Sequence, residues 1–285
     1  MTVIDGKAVS AAVKDEVRDQ VAELSKSGEV PCLAVVLVGD DPASKVYVRN
    51  KKRACEYCGI KSLEYILDKT VSEKELSDLI ETLNNEPTVH GILVQLPLPP
   101  HINEQNIINA ISEHKDVDAF HPANVGRLMT GNPNFLPCTP AGVMEMLKKY
   151  NIETAGKDCV IIGRSNIVGK PMAMLMLAAN STVTICHSKT ENLKEKCLCA
   201  DILIAAIGRA KFVTADMVRE GAVVIDVGIN RTEDGKLCGD VDFEEVSKKA
   251  SYITPVPGGV GPMTIATLMK NTLTAFKLRK TNGGK

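Results

Sequence analysis

The stretch Cys159-Val160-Ile161-Ile162-Gly163-Arg164-Ser165-Asn166-Ile167-Val168-Gly169-Lys170-Pro171 joins a short apolar strand to a turn bounded by glycines, and then to a helix. A strand that is apolar throughout is covered on both faces, which is the habit of parallel sheets. Beyond its carboxyl end, free backbone N–H groups and the dipole of the next helix together suit a pyrophosphate. The spacing departs from G-x-G-x-x-G, because Ser165 stands in the place of the second Gly. A tight turn without a ligand would need the same glycines, so the following strand decides between the two. It ends in His187-Ser188-Lys189, with no acid at its tip. Folds specific for NAD put an Asp or Glu there, about 20 residues on, to bind the ribose 2′-hydroxyl. Ser188 and Lys189, with Arg164 just after the first strand, instead suit a 2′-phosphate. Singly these are ordinary loop residues; placed at two neighbouring strand ends they make NADP the expected nucleotide.

Outward from this unit, strand and helix alternate to both ends of the chain. Towards the C-terminus, Val183 to Cys186, Ile202 to Ile207 and Val223 to Val227 read as further short buried strands. A stiff Pro/Gly segment, Pro255 to Pro262, then precedes a last helix from about Thr264 to Leu278. Towards the N-terminus, an amphipathic helix from about Val9 to Lys26, stopped by Gly28, leads to the apolar run Cys32 to Val38. Gly39-Asp40-Asp41-Pro42 breaks that run, and Ser44 reads as the N-cap of a helix towards Cys58. A strand from Ser62 to Leu67, a helix opened by the capping-box pair Ser72 and Glu75, the run Gly91 to Leu96 and a helix near Glu104 to Ile111 follow. This is βαβαβ order, which predicts a second parallel sheet with helices packed on it. The loop-rich stretch Asp116 to Pro140 reads as a domain junction, closed by a helix with Thr139 as N-cap and Pro140 in its first turn.

With 285 residues the chain has room for two domains, and 44% hydrophobic with 24% charged residues is a globular balance. Lys and Arg number 34 against 35 Asp and Glu, and no basic run stands out, so neither nucleic acid nor an anionic membrane is the expected partner. The start of the chain has charges early and no apolar core of a signal peptide, and nothing approaches the ~18 apolar residues of a membrane span. A cytoplasmic location is the resulting expectation. The nine cysteines sit in core-like surroundings, and Cys55-x-x-Cys58 has no second pair placed to complete a zinc site, so reduced, buried thiols and no metal are expected.

In the first half, ligands of a parallel sheet bind beyond the carboxyl ends of its strands. That rule gathers the helix from Ser44, Gln95 and the Asp116 to His121 loop. Ser44, Tyr47 and Lys51 lie at i, i+3 and i+7 and share a helix face, where Tyr47 can stack on a flat heterocycle and Lys51 can present its amine to reacting atoms. Lys51 has solvated neighbours in Lys45, Lys52 and Arg53 and could be one more of them. Gln95 argues otherwise: a lone amide in an apolar run costs about 1–3 kcal/mol if left unpaired. Asp116-Val117-Asp118 supplies two carboxylates, either of which could accept the paired N–H groups of a guanidine-like ring edge or close an Asx-type turn.

Taken together these segments closely resemble the bifunctional methylenetetrahydrofolate dehydrogenase/methenyltetrahydrofolate cyclohydrolase family. The resemblance spans nearly the whole chain: Val38 to Ser44 continuing to Tyr47 and Lys51, Gly91 to Pro99 around Gln95, and Lys115 to Asp118. It continues with Pro137 to Pro140, Gly163 to Pro171, Asp226 to Asn230 and Pro255 to Thr264. It implies an α/β fold of two domains with a cleft between them, an N-terminal parallel-sheet domain and a Rossmann-like NADP-binding domain. The implied division is residues 1–121 with a C-terminal helix 264–285 for folate and catalysis, and residues 122–263 for the nucleotide. It implies folate against Tyr47, Lys51, Gln95, Asp118, Pro257 and Gly258, with the first four catalytic. It implies NADP against Thr139, Gly163, Arg164, Ser165, Ile167, Ser188 and Ile229, and a homodimer acting on one-carbon tetrahydrofolates. Ala119 and Ala210 depart from the family's usual Gly and Pro. The readings set against it are a dehydrogenase alone, another NADP enzyme such as an amino-acid dehydrogenase, and a regulator that binds NADP without catalysis. Lys51 and Gln95 together disfavour the first, since hydride transfer leaves them little to do.

Overall fold

The computed structural model describes residues 1–26, 28–232 and 234–281. The tail of the expected 264–285 segment, residues 282–285, lies outside the described residues. In chain order the elements are β1 (Thr2–Val3), α1 (Gly6–Ser25), β2 (Cys32–Val38), α2 (Pro42–Cys58), β3 (Lys61–Leu67), α3 (Glu73–Asn85), β4 (Gly91–Val94), α4 (Glu104–Ala110) and α5 (Pro122–Met129). There follow α6 (Cys138–Lys149), β5 (Asp158–Ile162), α7 (Gly169–Ala178), β6 (Thr182–Cys186), α8 (Leu193–Leu198), β7 (Ile202–Ala205), β8 (Val223–Asp226), β9 (Asn230–Arg231), β10 (Leu237–Cys238), α9 (Phe243–Val246), β11 (Tyr252–Ile253) and α10 (Val260–Thr281). The chain divides into two compact units, one of Met1–Ala11 with Thr139–Thr264, the other of Ala12–Cys138 with the described residues from Ile265 onward. The junction expected at 121/122 therefore falls at 138/139. The first eleven residues go with the nucleotide unit, because β1 pairs with β11 (Thr2 with Tyr252, Val3 with Ile253).

In the unit built around Ala12–Cys138, three parallel strands run in the order β3-β2-β4. The central strand β2, Cys-Leu-Ala-Val-Val-Leu-Val, is buried at all seven positions. Its alternate residues feed two cores: Leu33, Val35 and Leu37 pack with Val17, Val21, Val48, Cys55, Leu268 and Leu273, while Ala34, Val36 and Val38 pack with Leu76, Ile80, Leu83 and Ile107. The chain visits β3 on one side of β2 and then β4 on the other. The crevice at the carboxyl ends of β2 and β4 is thus a topological switch point.

The other unit carries a sheet in the order β1-β11-β8-β7-β5-β6, with every neighbouring pair parallel. Counting β5 as first, the order 2-1-3-4-5 is the doubly wound arrangement whose switch point lies between the first and third strands, here β5 and β7. The core is formed by Val160, Ile162, Leu203, Ala205, Val224 and Ile253 with Cys186 and Val213. Strand β6 departs from the expectation of buried strands, since Thr182, Thr184 and Ile185 are exposed: it is the sheet's edge.

Several boundaries move for local reasons. Asp41, not Ser44, caps α2: its carboxylate accepts from the Ser44 amide at 2.7 Å, with Pro42 in the first turn. The capping box of Ser72 and Glu75 forms as expected. The stretch read as loop from Asp116 to Pro140 contains α5, opened by His121, whose ring accepts from the Ala123 amide, and by Pro122. Helix α6 starts at Cys138, so Thr139 lies inside its first turn, and α10 starts at Val260, before the expected Thr264.

Candidate active site

Helix α2 buries Ser44, Val48, Lys51, Ala54, Cys55 and Cys58, a stripe at helical spacing in which Lys51 occupies a position that calls for an apolar side chain. Lys51 is only 8% exposed, which excludes the solvated reading. Its Nζ donates to Gln95 Oε1 at 2.8 Å. Gln95 lies just past the end of β4 and is fixed from both sides. Its backbone N–H donates to Val36 O of β2 at 2.9 Å, and its Nε2 donates to Leu96 O at 2.6 Å. With Nε2 spent on that carbonyl, the amide oxygen is the atom left to face the lysine. Burial pushes the Lys51 amine below its ordinary 10.5, while the charge of Asp118 pulls the other way.

The two carboxylates of Asp116-Val117-Asp118 have separate roles. Asp116 is 2% exposed and accepts from the His121 amide and from Asn124 Nδ2, both at 2.8 Å. It is the loop's own anchor, and burial raises it above the ordinary range despite those bonds. Asp118 is half-buried and is the carboxylate whose field acts on Lys51. The loop is pinned by Asn271 of α10, whose Nδ2 donates to Val117 O and to Leu136 O, both at 2.8 Å. Sequence reasoning missed Asn271; its signal is a lone amide on the apolar face of a long helix. Ala119 holds φ 59°, the left-handed region that favours the family's Gly. Tyr47 stands on the exposed shoulder of the same helix at 38% exposure. Tyr47, Lys51, Gln95 and Asp118 thus belong to α2, the end of β4 and the adjoining loop, the elements that border the switch point. Among the described residues no group of three or more His, Cys, Asp or Glu side chains is placed to hold a metal ion. Seven cysteines are buried; Cys199 is exposed and Cys238 partly so.

In the other unit, Gly163 follows β5 with φ 131°, and a Cβ there would come 2.2 Å from Ala206 O, just past β7. A Cβ on Gly169 would come 2.3 Å from Gly163 O. Both glycines are therefore demanded by the turn at the β5/β7 switch point. Ser165 Oγ accepts from the amides of Val168 (3.1 Å) and Gly169 (3.3 Å), so the hydroxyl in the place of the second Gly caps the opening of α7. Arg164, Ser165 and Ile167 are exposed along this turn, and Ser188 is exposed at the end of β6, whose Cys186 carbonyl accepts from the Gly163 amide at 2.9 Å. Ile229 is 48% exposed past β8. The Thr139 hydroxyl is bonded to that of Thr264 at 2.9 Å, which ties it to α10 and not to the β5 turn. Pro257 and Gly258 belong to this unit, not to the one that holds Lys51.

A pair of buried acids fixes the loops around Ile229, and sequence reasoning missed them. Asp226 accepts from the amides of Gly228, Asp240 and Val241, each at 2.9 Å. Asp240, fully buried, accepts from the amides of Ile207 (2.6 Å), Gly208 (3.0 Å) and Arg209 (2.8 Å) and from Asn230 Nδ2 (2.9 Å). The loops after β7 and β8 are thereby locked to each other. Burial, with the neighbouring Asp240 charge, raises Asp226 to about 6 against its backbone donors.

Two family models match the chain, described as the catalytic domain (residues 4–118) and the NAD(P)-binding domain (residues 137–280) of tetrahydrofolate dehydrogenase/cyclohydrolase. The bifunctional protein FolD of Agathobacter rectalis is 60% identical over 275 residues, 96% of this chain and 99% of that one. The crystal structure of the bifunctional FolD dehydrogenase/cyclohydrolase of Campylobacter jejuni superposes with a TM-score of 0.96 at 57% identity, covering 98% of this chain and 99% of that one. That of Trypanosoma brucei FolD, solved with NADP cofactor and an inhibitor, gives 0.94 at 39% identity over 98% of each chain.

Proposed function

This chain belongs to the tetrahydrofolate dehydrogenase/cyclohydrolase family, and from that premise we propose how its residues carry the two reactions. The enzyme oxidises 5,10-methylenetetrahydrofolate with NADP to the 5,10-methenyl form and hydrolyses that to 10-formyltetrahydrofolate. The observation that carries the assignment of residues is the buried Lys51 Nζ on Gln95 Oε1 at 2.8 Å.

The residues after β5 fit the nucleotide: Gly163 and Gly169 leave no room for a Cβ, so backbone approaches backbone there, and α7 begins at the same turn. When bound, the nucleotide supplies the hydride acceptor. Gly163, Arg164, Ser165, Ile167, Ser188, Ile229 and Thr139 hold it in this reading, with Arg164 and Ser188 on the 2′-phosphate side. In the first reaction a C–H bond of the methylene bridge breaks with its electron pair, and the lone pairs of the two flanking folate nitrogens carry the resulting cation. The protein needs only to align the donor, with Tyr47 stacked on the pterin, Asp118 accepting its N–H groups, and Pro257 and Gly258 against the substrate.

In the second reaction, water adds to the methenyl carbon. One water proton passes to the neutral Lys51 amine and is returned to the folate nitrogen as its bond to that carbon breaks. The second water proton leaves to solvent as the C–O bond becomes the formyl carbonyl, discharging the positive charge the methenyl cation brought. Burial makes the neutral amine accessible, and Gln95, which carries no charge, orients it without holding the proton as a carboxylate would. In a Lys51→Met variant, hydrolysis falls by on the order of 10²–10⁴, the usual worth of a positioned acid/base, while folate still binds and reduced NADP still forms from the methylene substrate. Undiminished hydrolysis removes Lys51 from the mechanism. A cytoplasmic homodimer completes the proposal, resting on the family resemblance; sedimentation at twice the 30.7 kDa chain mass supports the dimer and a single-chain mass refutes it. Among the described residues no helix is long and apolar enough to cross a membrane.

A further inference from the structure

The far end of the catalytic sheet has its own cavity. Cys32 and Lys61 open β2 and β3, and His90 directly precedes β4, so these residues mark the amino ends of the three strands, opposite Gln95. A space of about 480 Å³ lies there, lined among others by Lys61, His90, Phe276 and Arg279. A second space of about 510 Å³ adjoins it across Pro87, His90 and Arg279, and adds Lys115 and Arg127. Volumes of this size are those of small-molecule sites.

The walls are rich in donors and poor in acceptors. Among the described residues neither Arg279 nor Lys61 has a hydrogen-bond or ion-pair partner for its side chain. The acids nearby are already engaged: Glu29 pairs with Lys280 at 2.8 Å, and Glu86 accepts from the amide and hydroxyl of Thr88. His90 Nδ1 accepts from the Cys32 amide at 3.1 Å, so the proton of the neutral ring sits on Nε2 and makes it one more donor. Arg279 lies in the last turn of α10, where a cation complements the helix dipole, and Lys115 Nζ is spent on Leu83 O (2.8 Å) and Glu86 O (2.7 Å), but neither accounts for Lys61 and His90 arriving from two other segments. Their crowding shows in the titrations. His90 is depressed to about 4 and Lys115 to about 8, chiefly by burial and then by the Arg279 charge.

We propose that this cavity binds a small multivalent oxyanion, one carrying phosphate or carboxylate groups, with Arg279 as a two-pronged donor and Lys61 and His90 completing the contacts. Arg forks match either group by paired hydrogen bonds. The lining shares no residue with the proposed folate and nucleotide sites, so the anion would take no part in the reaction itself.

The test is calorimetric titration of the full chain, saturated with NADP to occupy the nucleotide residues, with pyrophosphate and with citrate at matched ionic strength. Saturable binding of either anion is expected, with the stronger of the two naming the phosphate or carboxylate class. Arg279→Gln combined with Lys61→Gln weakens it at least tenfold while both enzymatic activities persist, which reports an intact fold. Should that pair fail to fold, Lys61→Gln alone reads the same loss from an exposed position. Absence of saturable binding of both anions up to millimolar concentration, or binding that the substitutions leave unchanged, overturns the proposal.

Discussion

Lys51 is governed by two opposed fields: burial favours the neutral amine and Asp118 favours the ammonium. Gln95, at 2.8 Å, holds the amine without tipping that balance. Gln95→Glu therefore places a second negative charge against Nζ, raises the lysine pKa and moves the rise of the hydrolysis rate to higher pH. In the proposed mechanism the base form is the active one, so activity at neutral pH falls, while Gln95→Ala loses rate without such a displacement. A pH–rate profile of methenyl hydrolysis for both variants checks this; coincident profiles for Glu and wild type refute it. Lys51 was legible as a residue sharing a face with Ser44 and Tyr47, and its position in an apolar stripe was there to be read. Its partner lies 44 residues away in the chain, and it was the strand-end rule, not a local pattern, that set Gln95 beside it. The Asp226 and Asp240 pair had no such rule to show it: Asp240 draws on amides some 31–33 residues distant, and only folding brings those turns to it.

At the scale of elements, the β5 turn shows how little room a glycine turn leaves. A methyl at position 163 meets Ala206 O at 2.2 Å, in a backbone of φ 131°. Gly163→Ala must therefore part β5 from the loop after β7. The expected outcome is a loss of NADP affinity of at least tenfold with folate binding retained, measured by separate titrations. Retained nucleotide affinity would detach this turn from the cofactor. Such turns, and buried strands such as β2, were readable because one local rule sets them. Strand β6 was not: Thr-Val-Thr-Ile-Cys looks apolar enough to be central, and only the strand order makes it an edge. Helix α5 hid in a proline-bearing stretch because Pro122 in its first turn looks the same as a loop proline until the helix is seen.

For the whole molecule, half-buried His90 and buried Asp226 give stability opposite slopes with pH. His90 titrates at about 4 folded against an ordinary 6.5, so the unfolded chain takes up a proton first as pH falls. Its contribution is present above pH 6.5 and is lost between there and 4, roughly 3 kcal/mol at most. Asp226 is raised from 3.8 to about 6, so the folded chain keeps its proton longer. Its contribution is present below pH 4 and is lost as pH rises to 6, again roughly 3 kcal/mol at most. Urea midpoints at pH 4.5 and 6.5 read the balance. His90→Gln lowers the midpoint at 6.5 relative to that at 4.5, and Asp226→Asn raises it. Shifts of the same sign in both variants would contradict these assignments.

The pairing of Thr2 and Val3 with Tyr252 and Ile253 also bears on the order in which the protein is made. The strand that completes the nucleotide sheet is translated some 250 residues before the strand it docks against. The catalytic unit waits as well, since Leu268, Met269 and Leu273 of α10 pack into the core that β2 begins. A nascent chain thus carries one unfinished sheet and one unfinished core until β11 and α10 have been made. An early stop that spares every residue proposed to touch folate or NADP, yet removes α10, leaves the Lys51 side of the protein without one wall of its core.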